Sequence, residues 1–315
     1  MQQKISLVIA FLVISFLSIG QVNMNQMMNV QPISTLSSPT DPDEEEEDEE
    51  EEDPFHGVSV GLNIGSYFAS KKTANVYNGT CIFGDLGRPD GVRCYSIAER
   101  IDPNTFVRDY QQITQDLNAT GVEVPYDSNP MNMRYTPAFY VGMQIKYNWG
   151  KYKALVFNFN TVKLKAVDVF TLRLIGTGQQ QNAQQDIRTF TISGNEQRFD
   201  ANLGYRAGVM MNEMTNWYFQ FGASMLGTQV EKNQIRIENR SYDLFVGAQN
   251  PNQLLTLQNS PTKIGFGGYF STGVEFFIKD KYTFDISLGF SRDTIKMFDY
   301  TEHAWNKWLI ASFTI

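Results

Sequence analysis

The chain has 315 residues, 13% of them aromatic, and a formal net charge of −8. That length allows one large domain or two ordinary ones. The charge belongs to one short run: taking away its acids and Lys4 leaves +3 over residues 54–315. A nearly neutral body without a clustered basic stripe offers no nucleic-acid surface.

The opening segment, MQQKISLVIAFLVISFLSIGQ, has the parts of a secretory signal: Lys4, an apolar stretch from Ile5 to Leu17, and small-x-small Ser18-Ile19-Gly20 before Gln21. A signal peptide over residues 1–20 is expected. The alternative is an N-terminal anchor, but the apolar stretch is short for a span of roughly 20 residues. No cysteine follows the leader, which argues against a lipoprotein.

Residues 21–54 are polar and then acidic. Asp41, Asp43, Glu44, Glu45, Glu46, Glu47, Asp48, Glu49, Glu50, Glu51, Glu52 and Asp53 form a run broken only by Pro42. Dense like charge with little to bury predicts disorder. The run reads as a self-repelling spacer or as a tethered handle for a basic periplasmic partner. The ligand spacing and glycine of a calcium loop are missing from it.

From Phe55 onward, period-2 alternation takes over and predicts eight strands. The first is VSVGLNIGSYF, with Val58, Val60, Leu62 and Ile64 on one face. The second, FYVGMQIKYNW, sets Phe139, Val141, Met143, Ile145, Tyr147 and Trp149 against Tyr140, Gly142, Gln144, Lys146 and Asn148. The third is YKALVFNFNT. Its alternation slips near Thr161-Val162, and VFTLRLIG is a possible continuation as a long ribbon. The fourth is FDANLGYRAGVMM, with Asp200, Asn202 and Arg206 on its polar face. The others are WYFQFGASM, IGFGGYFSTGVEFFI with Glu275 on the polar side, YTFDISLGFS with Asp285, and the terminal WLIASFTI. Short turns follow the second, fourth and sixth strands, and long connections follow the odd ones.

Alternation of this kind also occurs in soluble sandwiches. Here the apolar faces are rich in Phe, Trp, Tyr, Met and Leu, while the opposite faces hold Gly, Ser, Asn, Gln and charges. Aromatics (Tyr147, Trp149, Tyr152, Trp217, Tyr218 and Tyr282) gather near the short turns, and Trp305 and Trp308 are expected at the opposite rim. Apolar-out alternation, an even strand number and aromatic girdles predict an all-β, eight-stranded antiparallel transmembrane β-barrel over residues 55–315. Closure is required because lipid cannot satisfy a free sheet edge.

On VSVGLNIGSYF, the hairpin FYVGMQIKYNWGKYKALVFNF and the terminal WLIASFTI, the chain resembles the small eight-stranded outer-membrane barrels. It is OmpA-like in plan and similar to the PorT-like barrels of Bacteroidota. The resemblance implies a cell outer-membrane location, an N-terminal segment in the periplasm and contact with outer-membrane lipid. It supplies no shared catalytic motif. The C-terminus is similar to the signal read by barrel-assembly machinery, except that Ile315 is last and Phe313 lies two before it.

With small faces inward, Lys146, Asp200, Arg206, Glu275 and Asp285 enter the lumen. Eight strands leave an interior that side chains just fill, so these residues are expected to form a paired charge network that plugs it. A gated ion path is the competing reading. Cys81 and Cys94 are the two cysteines, and export predicts a disulfide, stabilising one loop by roughly 3 kcal/mol. Two thiols without a nearby histidine make half a metal site at best, and no cofactor is expected.

Acid–base chemistry most often needs histidine. His56 follows the acid run, and His303 lies beside Glu302 without a serine in a recognisable spacing. The function expected is therefore non-enzymatic: a structural or accessory subunit of an envelope secretion or assembly complex, or a surface-binding scaffold. The alternatives are a small-barrel lipid-modifying hydrolase or a narrow pore.

Overall fold

The computed structural model describes residues 56–81, 92–150, 152–176, 186–212, 214–247, 262–278 and 282–315. The signal peptide and the acidic segment, both expected from sequence, lie outside the described residues.

Eight long strands carry the fold: β1 (Gly57–Phe68), β2 (Ala138–Gly150), β3 (Lys153–Ile175), β4 (Asp186–Asn212), β5 (Thr215–Ile237), β6 (Lys263–Ile278), β7 (Tyr282–Met297) and β8 (Tyr300–Thr314). Each is antiparallel to the next in sequence. The ring closes where β8 pairs with β1, setting Ala311 opposite Ile64. Closure leaves no free edge along the barrel wall, so every strand finds ladder partners on both sides.

The wall faces outward with its apolar side. Val58, Leu62, Phe139, Leu203, Val209, Phe221, Phe270, Leu288 and Phe313 are all exposed, while Asn63, Gln144, Asn160, Asn202, Gln220 and Ser312 are buried inside. This inverts the arrangement of a water-soluble barrel and fits a lipid surroundings on the outside. Tyr147, Trp149, Trp217 and Tyr282 are exposed close to the short turns, where an interfacial belt belongs. Two aromatics expected on the rims are not there. Tyr218 and Trp308 are buried inside the barrel, because both fall on the inward parity of their strands. No helix among the described residues is long and apolar enough to cross a membrane.

Beyond the lipid-facing belt the same strands continue, and the two faces exchange chemistry. Along β3, Leu155 and Phe157 point out and Asn158 and Asn160 point in. Farther along, Lys163 and Lys165 point out while Leu164, Ala166, Phe170, Leu172 and Leu174 are buried inside. The apparent slip at Thr161-Val162 is therefore no break in the strand. Parity holds, and the medium outside changes from lipid to water. β4 repeats the exchange, with Phe190 and Ile192 inside and Thr191 outside. In β5 an extra residue at Glu231 bulges out between Val230 and Lys232, which swaps parity and turns Ile235 and Ile237 inward. The third to fifth strands thus run well past their expected ends. The connection after β7, expected to be long, is a tight turn at Phe298-Asp299, with Phe298 in the left-handed region at φ 50°.

The long connection between β1 and β2 fills the extended end. It contains α1 (Lys71–Ala74), a 3-10 turn at Asn75–Tyr77, α2 (Ile97–Arg100) and α3 (Val107–Asp116). Ser96 and Glu99 form a reciprocal capping box on α2. Short strands tie the segment down: Gly121–Glu123 and Arg134–Tyr135 pair with β3, and Val92–Cys94 pairs with Phe245–Gly247. Val76, Ile97, Ile113, Leu117 and Met133 pack against Phe170, Leu172, Ile192 and Ile235 in one core. Each such side chain, fully buried, stabilises by about 1.5–3 kcal/mol. The result is a cap with its own apolar core, standing on a membrane barrel. Cys81 and Cys94 are joined within it.

Candidate functional site: the closed lumen and its lock

The interior beneath the cap is filled in three tiers. The tier nearest the short turns is an ion cluster. Lys146 Nζ on β2 lies 2.7 Å from Glu275 Oε1 on β6 and donates to Thr283 Oγ1 at 3.2 Å. Arg206 Nη1 on β4 reaches the same Glu275 oxygen at 3.3 Å and Asp285 Oδ2 on β7 at 3.5 Å. The Arg206 guanidinium also stacks 3.8 Å from the Tyr218 ring centroid, and the Tyr218 hydroxyl donates to Asp285 Oδ1 at 2.9 Å. Two cations meet two carboxylates, so the formal charges cancel. The contact to Asp285 Oδ2 is the loosest of the set, since that oxygen accepts no hydrogen bond from the protein. Cancellation matters because an unpaired ion in this interior costs several kcal/mol.

The middle tier is made of amides and hydroxyls. Asn63 Nδ2 donates to Asn158 Oδ1 and Asn160 Oδ1 at 3.1 and 3.0 Å, and Gln144 Nε2 donates to Asn158 Oδ1 at 2.9 Å. Ser312 Oγ donates to Asn63 Oδ1 at 2.7 Å. These groups surround a cavity of about 20 Å³, room for roughly one water.

The upper tier joins barrel to cap. Arg198 Nε lies 2.6 Å from Glu196 Oε1, and both side chains are wholly shielded from solvent. Arg198 donates onward to Asn306 Oδ1 on β8 and to Thr73 Oγ1 at the start of the cap, at 3.3 and 3.1 Å. The Tyr77 and Tyr135 hydroxyls, both from the cap connection, donate to Glu196 Oε2 at 2.7 and 3.0 Å. Burial first, then the Glu196 carboxylate, pushes both phenols well above the ordinary tyrosine value, so they stay protonated and serve as donors. Asp293 belongs to this level too, bound by Ser224, Ser291 and Asn306.

Of the five lumen charges singled out in the sequence, Lys146, Arg206, Glu275 and Asp285 come together. Asp200 stands apart in the upper region, hydrogen-bonded by Tyr140. Sequence reading missed Glu196, Arg198 and Asp293. Glu196 and Arg198 precede Asp200 on the same face at every second position, so carrying the alternation of β4 backwards finds them.

The two histidines occupy separate places. His56 meets the Tyr147 ring edge-on at 6.3 Å. His303 points outward, its Nδ1 3.1 Å from Thr294 Oγ1. Glu302 engages Tyr300 and Lys72. Among the described residues, no three His, Cys, Asp or Glu side chains group as metal ligands.

No protein-family model and no curated protein matches the chain. Similar solved structures include Neisserial surface protein A, at 8% identity and TM-score 0.38, covering 82% of this chain and 96% of that one. Ail, the attachment invasion locus protein of Yersinia pestis, is 10% identical with TM-score 0.30 and coverage of 82% and 99%. The N-terminal β-barrel domain of Pseudomonas aeruginosa OprF is 8% identical with TM-score 0.29 and coverage of 82% and 98%. At these scores the likeness carries no weight of its own, and the fold rests on the closed ring of strand pairings.

Proposed function

We propose that this chain is a non-catalytic outer-membrane barrel that presents a rigid folded cap at the cell surface and conducts nothing through its lumen. The observation that carries this reading is the upper tier. One buried ion pair, Arg198–Glu196, binds Thr73, Tyr77 and Tyr135 of the cap connection to the barrel wall. A pore would gain nothing from fastening a solid cap over its mouth, whereas a binding scaffold needs its surface held in one shape.

In this reading residues 1–20 are removed on export and residues 21–54 lie in the periplasm. The acidic run then makes the chain an accessory subunit of an envelope secretion or assembly complex by holding a basic periplasmic protein. Planar-bilayer recording tests the closed lumen, and steady unit conductance from the folded chain overturns it. Affinity purification in mild detergent tests the subunit role. Co-purification of a basic envelope protein supports that role, and isolation of the barrel alone removes it.

A further inference from the structure

The outer wall of the barrel is not uniformly convex. Where β5, β6 and β7 pass side by side, Gly268 faces outward between two rows of bulky side chains, and a groove of roughly 560 Å³ opens there, a volume typical of small-molecule sites. Phe221, Phe270 and Phe290 line its lower side, and Arg292 and Trp305, in register with Gly268, close one end. Strand register explains the shape. Phe270 is paired with Phe221 and Phe290, whereas Gly268, two residues on, is paired with Ala223 and Arg292. A row of large rings is thus followed by a row whose central positions have almost no side chain.

The groove lies where the wall changes chemistry. On β7 the outward residues run from Leu288 and Phe290 to Arg292 and Lys296, and on β8 from Leu309 to Lys307 and His303. On neighbouring β6, apolar surface continues higher, through Phe266, 67% exposed, and Ile264. The Arg292 guanidinium rests 5.9 Å from the Trp305 ring, and Lys307 Nζ lies 5.9 Å from the Phe290 ring. The carboxylates at this height, Asp293 and Glu302, sit on the inward parity. Asp293 is bound by Ser224, Ser291 and Asn306, and Glu302 by Tyr300 and Lys72. The outward cations therefore present their charge to the membrane interface.

We infer that this groove is a binding site for an anionic, phosphate-bearing lipid of the cap-side leaflet, with one acyl chain along Gly268 and the phosphate between Arg292 and Lys307. A hydrocarbon chain fills the trough that the glycine leaves, and the arginine fork suits a phosphate that cannot leave the interface. Charge complementarity selects an anionic headgroup over a zwitterionic one.

Native mass spectrometry of the full chain, released from detergent with equal amounts of phosphatidylglycerol and phosphatidylcholine of the same acyl chains, tests this. The wild type is expected to retain one phosphatidylglycerol in preference, by about fivefold for each of the two well-placed cations. Arg292→Gln should cut that preference by about fivefold, leaving the share of Lys307, and Gly268→Leu should abolish retention of both. The added side chain has space, because a Cβ at Gly268 meets nothing nearer than the Gly222 carbonyl oxygen at 3.6 Å. Heat-modifiable migration on gels shows that each variant is folded, and Gly268→Ala, which fills less of the trough, should fall between. Equal retention of the two lipids by the wild type, or undiminished retention in folded Gly268→Leu, overturns the site.

Discussion

Glu196 and Arg198 sit two residues apart on one face of β4 and form an ion pair at 2.6 Å from which solvent is wholly excluded. A pair so deeply buried is a poor source of net stability, because both ions lose their hydration. Its value is geometric. Contacts of the pair go to Thr73, Tyr77, Tyr135 and Asn306 and to the Tyr135 ring face, so cap and barrel share one polar joint.

Removing one partner of that pair strands the other. Glu196→Gln is expected to destabilise the cap by about 3–5 kcal/mol, and Arg198→Met by a similar amount. The double variant Glu196→Leu/Arg198→Met should recover most of the loss, since no unpaired ion remains. Limited trypsinolysis at Lys71, Lys72 and Arg93 reads the effect. Rapid cleavage in both single variants with slower cleavage in the double one is the expected pattern, while heat-modifiable migration stays that of a folded barrel.

The tier near the short turns should behave differently because its charges are shared. Lys146→Met leaves Glu275 with Arg206 as a partner at 3.3 Å, so its cost should fall below the several kcal/mol of an isolated buried ion. Arg206→Met removes the contacts to both Glu275 and Asp285 and should cost more than Lys146→Met. Urea unfolding in lipid vesicles orders the two. Equal losses would show that Arg206 does not bridge the carboxylates in the membrane.

Much of this barrel was legible in the alternation, and the reason marks its limit. Period 2 with the apolar set outward is unambiguous only where lipid lies outside. Past Thr161 on β3 and before Phe199 on β4 the strands continue toward the cap, with the cap core inside, so the apolar set changes sides. That exchange imitates a strand end. Glu231 hides the continuation of β5 in another way, by inserting one residue and flipping parity. The β7–β8 turn escaped notice because Phe298 takes a left-handed conformation at which hairpins ordinarily carry Gly, Asn or Asp. The lower charge cluster could be read residue by residue because all its members fall inside the lipid-facing belt. Only half of the lock could be: Glu196 and Arg198 follow from the alternation of β4, but its two tyrosines come from a connection with no strand pattern of its own.

The disulfide makes a narrower prediction. Cys81 and Cys94 are 13 residues apart with Cα atoms at 5.7 Å, and Cys94 also belongs to the short strand paired with Phe245–Gly247. Cys81→Ser/Cys94→Ser should lower cap stability by at most roughly 3 kcal/mol and leave the barrel untouched. Protease protection of the cap should therefore fall while folding of the barrel in vesicles is unchanged. A loss of barrel folding would mean that the cap is needed to close the ring.

Asp243 supplies the pH dependence. Burial raises its carboxyl above the usual value, against the lowering effects of Lys232 and then Arg100. In the window between the unfolded value, about 3.9, and the raised folded value, the folded cap holds a proton that the unfolded chain has released. Stability from this group is thus full below that window and is lost as pH rises through it. Cap protection against an acid-tolerant protease should decline across the window in the wild type. Asp243→Asn, neutral throughout, should remove that part of the slope, and an unchanged slope would assign it to other carboxylates.

The acidic run gives the last prediction, and it bears on the partner. Twelve carboxylates between Asp41 and Asp53 on an otherwise nearly neutral chain concentrate the protein's charge in one short stretch. If that stretch holds a basic periplasmic protein, the attraction is largely between solvated charges and is screened over about 10 Å at 0.1 M salt. Deleting residues 41–53 should leave the barrel folded and reduce co-purification of the partner. The difference between wild type and deletion should be largest at low salt and should shrink as salt is added. A spacer has no such signature: replacing the run with Gly and Ser of equal length would then preserve the complex at every salt concentration. Loss of the complex on that replacement, with rescue by a run of equal charge but scrambled Asp and Glu order, would place recognition in the charge itself.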